Sequence, residues 1–197
     1  VQDAVNRIEP FETVARAVGW LRAAGVGSIN LDLMYGLPRQ TTADVRSTLD
    51  AVLTLRPERI ALFGYAHVPW TKPHQRLLPE DELPGSEARL EQSQSAAERL
   101  VGEGYVAIGI DHFALPDDAL AVSKADGVLR RNFQGYTTDS CPTLLGFGAS
   151  SIGRLPQGFV QNLPPEVAWR TAIAEGRLPV SRGLVLTDDD RLRGDVI

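Results

Sequence analysis

Apolar positions along the first half of the chain alternate between two spacings. Phe11, Val14, Val18 and Leu21 recur one helical turn apart, and Gly25 follows as a stop, so a helix is predicted there. Ser28-Ile29-Asn30-Leu31-Asp32-Leu33-Met34 then reads as a strand, closed by the turn Gly36-Leu37-Pro38. Thr42 is placed to cap a second helix carrying Val45, Leu49, Val52 and Leu53, which Pro57 ends. Residues 60–65 read as the next strand. The polar stretch 67–85, with prolines at 69, 73, 79 and 84, is long for a plain connection and reads as a functional loop. A third helix over 86–101 and a third strand over 105–110 follow. Beyond them lie a short helix over 117–124, a glycine-rich segment over 144–152 and a last helix over 166–174.

Strands alternating with amphipathic helices predict right-handed crossovers and a parallel α/β sheet. A complete eight-unit barrel takes about 250 residues, and only three units are visible before the pattern changes. The expectation is therefore part of a barrel, with an open strand edge on its N-terminal side and the remainder upstream of Val1. Thr187-Asp188-Asp189-Asp190 has the form of a helix start, with little chain left to complete the helix, which also reads as a piece of a longer protein.

Composition narrows the function classes. The 197 residues carry a formal net charge of -5, with 43% hydrophobic and 23% charged residues, the balance of a soluble globular protein. An acidic chain without a basic stripe is not built to track a phosphate backbone, so no nucleic-acid partner is expected. No apolar run reaches the roughly 18 residues of a membrane span. Cys141 is the one cysteine. A disulfide framework and a cysteine-cluster metal site within this chain are excluded, a cytoplasmic setting is the default, and Cys141 reads as a small, partly buried residue.

In parallel α/β sheets the chemistry gathers at the carboxyl ends of the strands. Those ends carry Asp32, Ala66-His67 and Asp111-His112. Asp32 points away from Leu31 and Leu33, either as a satisfied interior carboxylate or as a ligand for a hydroxyl or ammonium group. His67 and His112 are candidate metal ligands or general acids, or structural histidines bonded to backbone. On an extended segment the side chains of Asp111 and His112 diverge, so the pair is not expected to share one metal. His74 is expected in solvent. Arg7 is a surface arginine or a bidentate partner for a carboxylate. Gly146-Phe147-Gly148-Ala149-Ser150 has the form of a close backbone approach to a ligand, without the spacing of a dinucleotide or phosphate loop. Arg130-Arg131-Asn132 is a short basic run of the kind that forms a solvated face.

Several stretches together resemble the oxygen-independent coproporphyrinogen III oxidases, a radical S-adenosylmethionine (SAM) family. They are Val5-Asn6-Arg7, the run from Ser28 through Asp32 to Pro38, Tyr65-Ala66-His67-Val68-Pro69, Gly109-Ile110-Asp111-His112-Phe113-Ala114, Arg131-Asn132-Phe133-Gln134-Gly135-Tyr136-Thr137-Thr138 and Leu144-Leu145-Gly146-Phe147-Gly148. The Asn-Phe-Gln-Gly-Tyr-Thr-Thr run separates this branch from the related haem chaperones.

The resemblance implies the second half of an incomplete (β/α)6 radical-SAM barrel over 1–115. It implies a connection and the start of a helical C-terminal domain over 116–197. The implied reaction is oxidative decarboxylation of two propionates of coproporphyrinogen III to vinyl groups, yielding protoporphyrinogen IX. In it a [4Fe-4S] cluster cleaves SAM to a hydrogen-abstracting radical, with an electron donor and an acceptor that the residues do not identify. Two SAM molecules are implied: Arg7 and Asp32 contact SAM, Ala66 offers backbone to the adenine side, and Phe133, Gln134 and Ile152 help form the second position. The cluster's cysteine motif would lie upstream of Val1, so this chain alone is expected to be inactive, and a monomer. The alternatives are a haem chaperone of the same superfamily and a metal-dependent barrel hydrolase using Asp32, His67 and His112.

Overall fold

A computed structural model describes residues 1–196. The chain forms two compact units, Val1–Thr138 and Asp139–Ile197.

The first unit contains α1 (Phe11–Ala23), β1 (Asn30–Tyr35), α2 (Thr42–Thr54), β2 (Arg59–Gly64), α3 (Ser86–Gly102), β3 (Val106–Ile108), β4 (His112–Ala114), α4 (Ala119–Ala125), β5 (Arg130–Asn132) and β6 (Gly135–Thr137). The predicted elements are present, with local corrections. The cap of α2 is Thr41, not Thr42. Thr41 is extended, its hydroxyl accepts from the Asp44 N–H at 3.2 Å, and the Asp44 carboxylate accepts from the Thr41 N–H at 2.7 Å, a reciprocal capping box.

The sheet is mixed rather than parallel, in the order β1-β2-β4-β3. β1 and β2 pair in parallel from Asn30↔Arg59 to Tyr35↔Gly64, with α2 as the crossover. The segment expected as one third strand instead breaks after Ile108. Gly109 takes φ +60°, a left-handed turn that suits glycine, and the chain doubles back as β4 between β2 and β3. β4 runs antiparallel to both neighbours, so β3 keeps the sense of β1 and β2.

Alternation along the strands gives the sheet two chemically different faces. One face carries Leu31, Leu33, Tyr35, Ile60, Leu62 and Phe113. It packs on Val45, Leu49 and Val52 of α2 and on Ala96 and Leu100 of α3. Leu49, Ile60 and Leu100 are fully buried, each worth about 2 kcal/mol of burial. Gln92, a polar side chain of α3 with 1% exposure, enters the same layer. Its Oε1 accepts from the Gly36 N–H at 2.9 Å and its Nε2 donates to the Gln40 carbonyl at 2.7 Å. The Gly36-Leu37-Pro38 turn is thereby tied to α3.

At the opposite end of β1 and β2 the last turn of α1 is clamped. Arg22 pairs with Glu58 at 2.7 Å, and Glu58 also accepts from the Ile29 N–H at 2.8 Å. Burial pushes the Glu58 carboxyl up, but the hydrogen bonds from Arg22 and Ile29 outweigh it and hold the group below its ordinary 4.5. A carboxyl depressed in the folded state stabilises the fold above its unfolded pKa, and that contribution is lost as pH falls through the folded value. Thermal unfolding of the protein and of Glu58→Gln, followed as pH drops below 4.5, is expected to show the gap between them narrowing. A gap independent of pH would mean that the clamp does not depend on the Glu58 charge.

Asp118 caps α4 through the Leu120 N–H at 2.8 Å and receives the Arg59 Nε at the same distance, so β2 and α4 share one carboxylate. β5 and β6 form a hairpin whose two-residue turn is Phe133-Gln134, steadied by the Asn132 side chain accepting from the Gln134 N–H at 2.8 Å.

The second unit is an antiparallel sheet of β7 (Ile152–Leu155), β8 (Gly158–Asn162) and β9 (Val180–Val185), with α5 (Glu166–Ala174) and α6 (Asp188–Val196). The acidic run at 187–190 is a helix start as read, with Thr187 and Asp190 in a capping box. Cys141 is exposed, not partly buried. A hydrogen bond to Asp139 raises its thiol above the usual value.

Candidate functional site

The second face of the four-stranded sheet carries the chemistry. Asn30, Asp32 and Met34 alternate with the core residues of β1, and all three are exposed. Their register partners on β2 are Arg59, Ala61 and Phe63. Ala61 in turn aligns with His112 of β4, so Asp32, Ala61 and His112 share one row across three strands. Asp32 and His112 are then about 10 Å apart at their Cα atoms, two strand spacings. In this chain Asp32 is open on this face and accepts from the Asn30 side-chain amide at 2.6 Å.

Asp111 and His112 do not diverge as expected. Asp111 belongs to the turn before β4, where strand alternation does not apply, and His112 Nδ1–H donates to its Oδ1 at 2.6 Å. The imidazole is held edge-on by two rings, Phe63 at 5.8 Å and Tyr136 at 5.4 Å between centroids. Tyr136 is itself fixed. Its hydroxyl accepts from the Ile110 N–H at 3.1 Å, and the Arg131 guanidinium lies 5.5 Å from its ring centroid. Sequence reading missed Phe63 and Tyr136 as partners of His112. The available signal was Gly109, whose missing side chain is where the tyrosine sits: a Cβ there would be 1.8 Å from the Tyr136 hydroxyl.

The other predicted residues fall as follows. Arg7 lies in the segment before α1, exposed, with Glu9 at 3.2 Å. Ala66 follows β2 and is exposed; its carbonyl accepts from Gln75 Nε2 at 3.0 Å, while Gln75 Oε1 accepts from the Val68 N–H at 2.6 Å. One glutamine of the long loop thus sets the backbone of 66–68. His67 is hydrogen-bonded to the Tyr65 hydroxyl through Nδ1 at 3.1 Å, and its Nε2 is 3.8 Å from Glu80. Burial raises the Tyr65 phenol above its usual value. His74 is exposed. Phe133 and Gln134 form the tip of the β5–β6 hairpin.

Ile152 opens β7 in the second unit. The glycine-rich stretch before it makes its close approach to its own chain: a Cβ on Gly146 would meet the Ile152 backbone at 2.8 Å. Asn162 Nδ2 spans the loop to the Gly148 carbonyl at 2.9 Å. Among the described residues no group of three or more His, Cys, Asp or Glu side chains gathers as a metal site, and no helix is long and apolar enough to cross a membrane.

No family model matches the chain. Over all 197 residues it is 53% identical to the oxygen-independent coproporphyrinogen III oxidase of Bradyrhizobium diazoefficiens and covers 44% of that protein. It is 51% identical to the enzyme of the same name from Cereibacter sphaeroides, again covering 44%. It is 44% identical to that from Pseudomonas aeruginosa, covering 43%. Among solved structures, coproporphyrinogen III oxidase (HemN) from Escherichia coli, described as a radical SAM enzyme, superposes with a TM-score of 0.93 at 40% identity. The match covers 99% of this chain and 45% of that one. The chain therefore spans less than half the length of these relatives.

Proposed function

We propose, for a chain related along its whole length to the oxygen-independent coproporphyrinogen III oxidases, that it serves the same reaction. That reaction is SAM-dependent oxidative decarboxylation of coproporphyrinogen III to protoporphyrinogen IX. The observation that carries this reading is the open sheet face. It presents an exposed carboxylate, Asp32, on the row that also holds the oriented His112, and it lies inside a 197-residue match to enzymes of that name. In this reading residues 1–115 contribute the second half of an incomplete barrel, whose interior is the Asp32 face, and 116–197 the connection and the start of a C-terminal domain. The protein acts in the cytoplasm as a monomer.

Asp32 suits the group assigned to it: an open carboxylate with an amide neighbour accepts from an ammonium or a ribose hydroxyl of SAM. Arg7, exposed and paired in solvent with Glu9, suits the SAM carboxylate. Ala66 would present backbone beside the adenine, on a segment that Gln75 holds in place. Phe133 and Gln134, at the tip of the β5–β6 hairpin, suit a second SAM position. SAM supplies the hydrogen-abstracting group when bound, and the residues of this chain bind and orient it and shield it from water. The thiolates of a [4Fe-4S] cluster do not fit this chain, which has one cysteine, exposed.

The test is anaerobic turnover of the full-length protein with coproporphyrinogen III, SAM and a reductant. Protoporphyrinogen IX is expected, with Asp32→Ala losing at least about tenfold in SAM affinity. Haem binding and transfer without decarboxylation would instead make the protein a chaperone.

A further inference from the structure

We propose that His112 is a substrate-binding residue whose Nε2–H, in the imidazolium form, holds a propionate carboxylate of the tetrapyrrole. The inference rests on the function proposed above and names the group that recognises its substrate.

The geometry around this imidazole is built from several independent elements. Nδ1 is committed to Asp111 at 2.6 Å, which fixes the ring plane and leaves Nε2 as the nitrogen available to a ligand. Phe63 and Tyr136 meet the ring edge-on at interplanar angles of 84° and 77°. Tyr136 in turn is seated over Gly109 and covered by Arg131. His112 leans on a carboxylate in the turn before β4 and stays 21% exposed on the open face.

The charge suits an anion. With Asp111 accepting from Nδ1, a protonated ring donates from both nitrogens, one inward to Asp111 and one outward. Arg131 is the nearby cation on Tyr136, and Asp32 is the acidic group of the same face, two strands away. Asp111 offsets the charge of the ring, so a carboxylate-bearing substrate is held by the outward Nε2–H and the neighbouring Arg131, and is repelled from the Asp32 side. That separates it from the cofactor position by about 10 Å, the scale on which a side chain of a large ring can reach toward the reacting centre. Phe63, beside His112 on the same face, offers an apolar surface to a pyrrole.

The experiment measures binding of coproporphyrin III, which carries four propionates, and of its tetramethyl ester to the full-length protein by fluorescence, with SAM binding measured alongside. His112→Phe keeps a ring between Phe63 and Tyr136 and removes both nitrogens; His112→Gln keeps a donor and serves if the first variant fails to fold. The expected result is at least about tenfold weaker binding of coproporphyrin III by His112→Phe. Gln should recover part of that loss, while ester binding, SAM binding and the melting temperature stay unchanged. Equal binding of coproporphyrin III by wild type and His112→Phe overturns the proposal. A parallel loss of SAM binding and melting temperature also overturns it, by assigning His112 a structural role. If the wild type binds neither porphyrin and decarboxylates nothing, the functional reading itself has failed, which is a different outcome from an active enzyme indifferent to His112.

Discussion

Gly109→Ala is expected to destabilise the protein by about 3 kcal/mol, a large effect for one methyl group. Two costs combine. The backbone there sits at φ +60°, where an L side chain is strained, and the new Cβ would lie 1.8 Å from the Tyr136 hydroxyl. Tyr136 must leave its seat, and with it goes one of the two rings that hold His112. The measurement is a denaturant midpoint for Gly109→Ala, Tyr136→Ala and the double variant. The double variant removes the collision and keeps the strain, so the two changes should be strongly non-additive, with the second change costing far less in the presence of the first. Simple additivity would mean that Tyr136 does not occupy the space above Gly109.

Gln92→Leu should cost a similar amount, about 3 kcal/mol, although Leu is close in size and more apolar than Gln. The loss comes from the partners. The Gly36 N–H and the Gln40 carbonyl both depend on this side chain, and water does not reach a residue with 1% exposure to replace it. A second consequence separates this account from a packing defect. Amide exchange at Gly36 should accelerate selectively, because the turn loses its tie to α3 while the leucines around it stay packed. An unchanged midpoint would show that the Gly36-Leu37-Pro38 turn holds itself.

Helices and the first two strands were legible because their signals are local. The spacing of Val45, Leu49 and Val52 names a buried face without knowledge of what covers it. The alternation around Asp32 likewise predicted that it points away from Leu31 and Leu33, as it does. The reversal at Gly109 was hidden because Val106, Ala107, Ile108 and Ile110 form one apolar run, and a glycine in such a run has several readings. What settles it is the tyrosine twenty-seven positions later in the chain that needs the space. Misreading the turn carried a second error with it, the expected divergence of Asp111 and His112. Gln92 was invisible for the same reason: its polarity looks like a solvated helix position until the turn it serves is placed beside it. The SAM-contact residues came from resemblance to a family. Residue chemistry alone left Asp32 and Arg7 with two readings each.

The strand that doubles back bears on how the chain finds this fold. β3 and β4 are joined by a three-residue turn, a contact that closes within microseconds and costs little loop entropy. The pairing of β4 with β2 joins residues about fifty positions apart, and β1 with β2 about thirty. The hairpin is therefore available early, as a preformed edge on which β2 can dock in a single register, and the left-handed glycine at its turn is in place before that slower docking. A substitution at Gly109 should slow refolding rather than hasten unfolding.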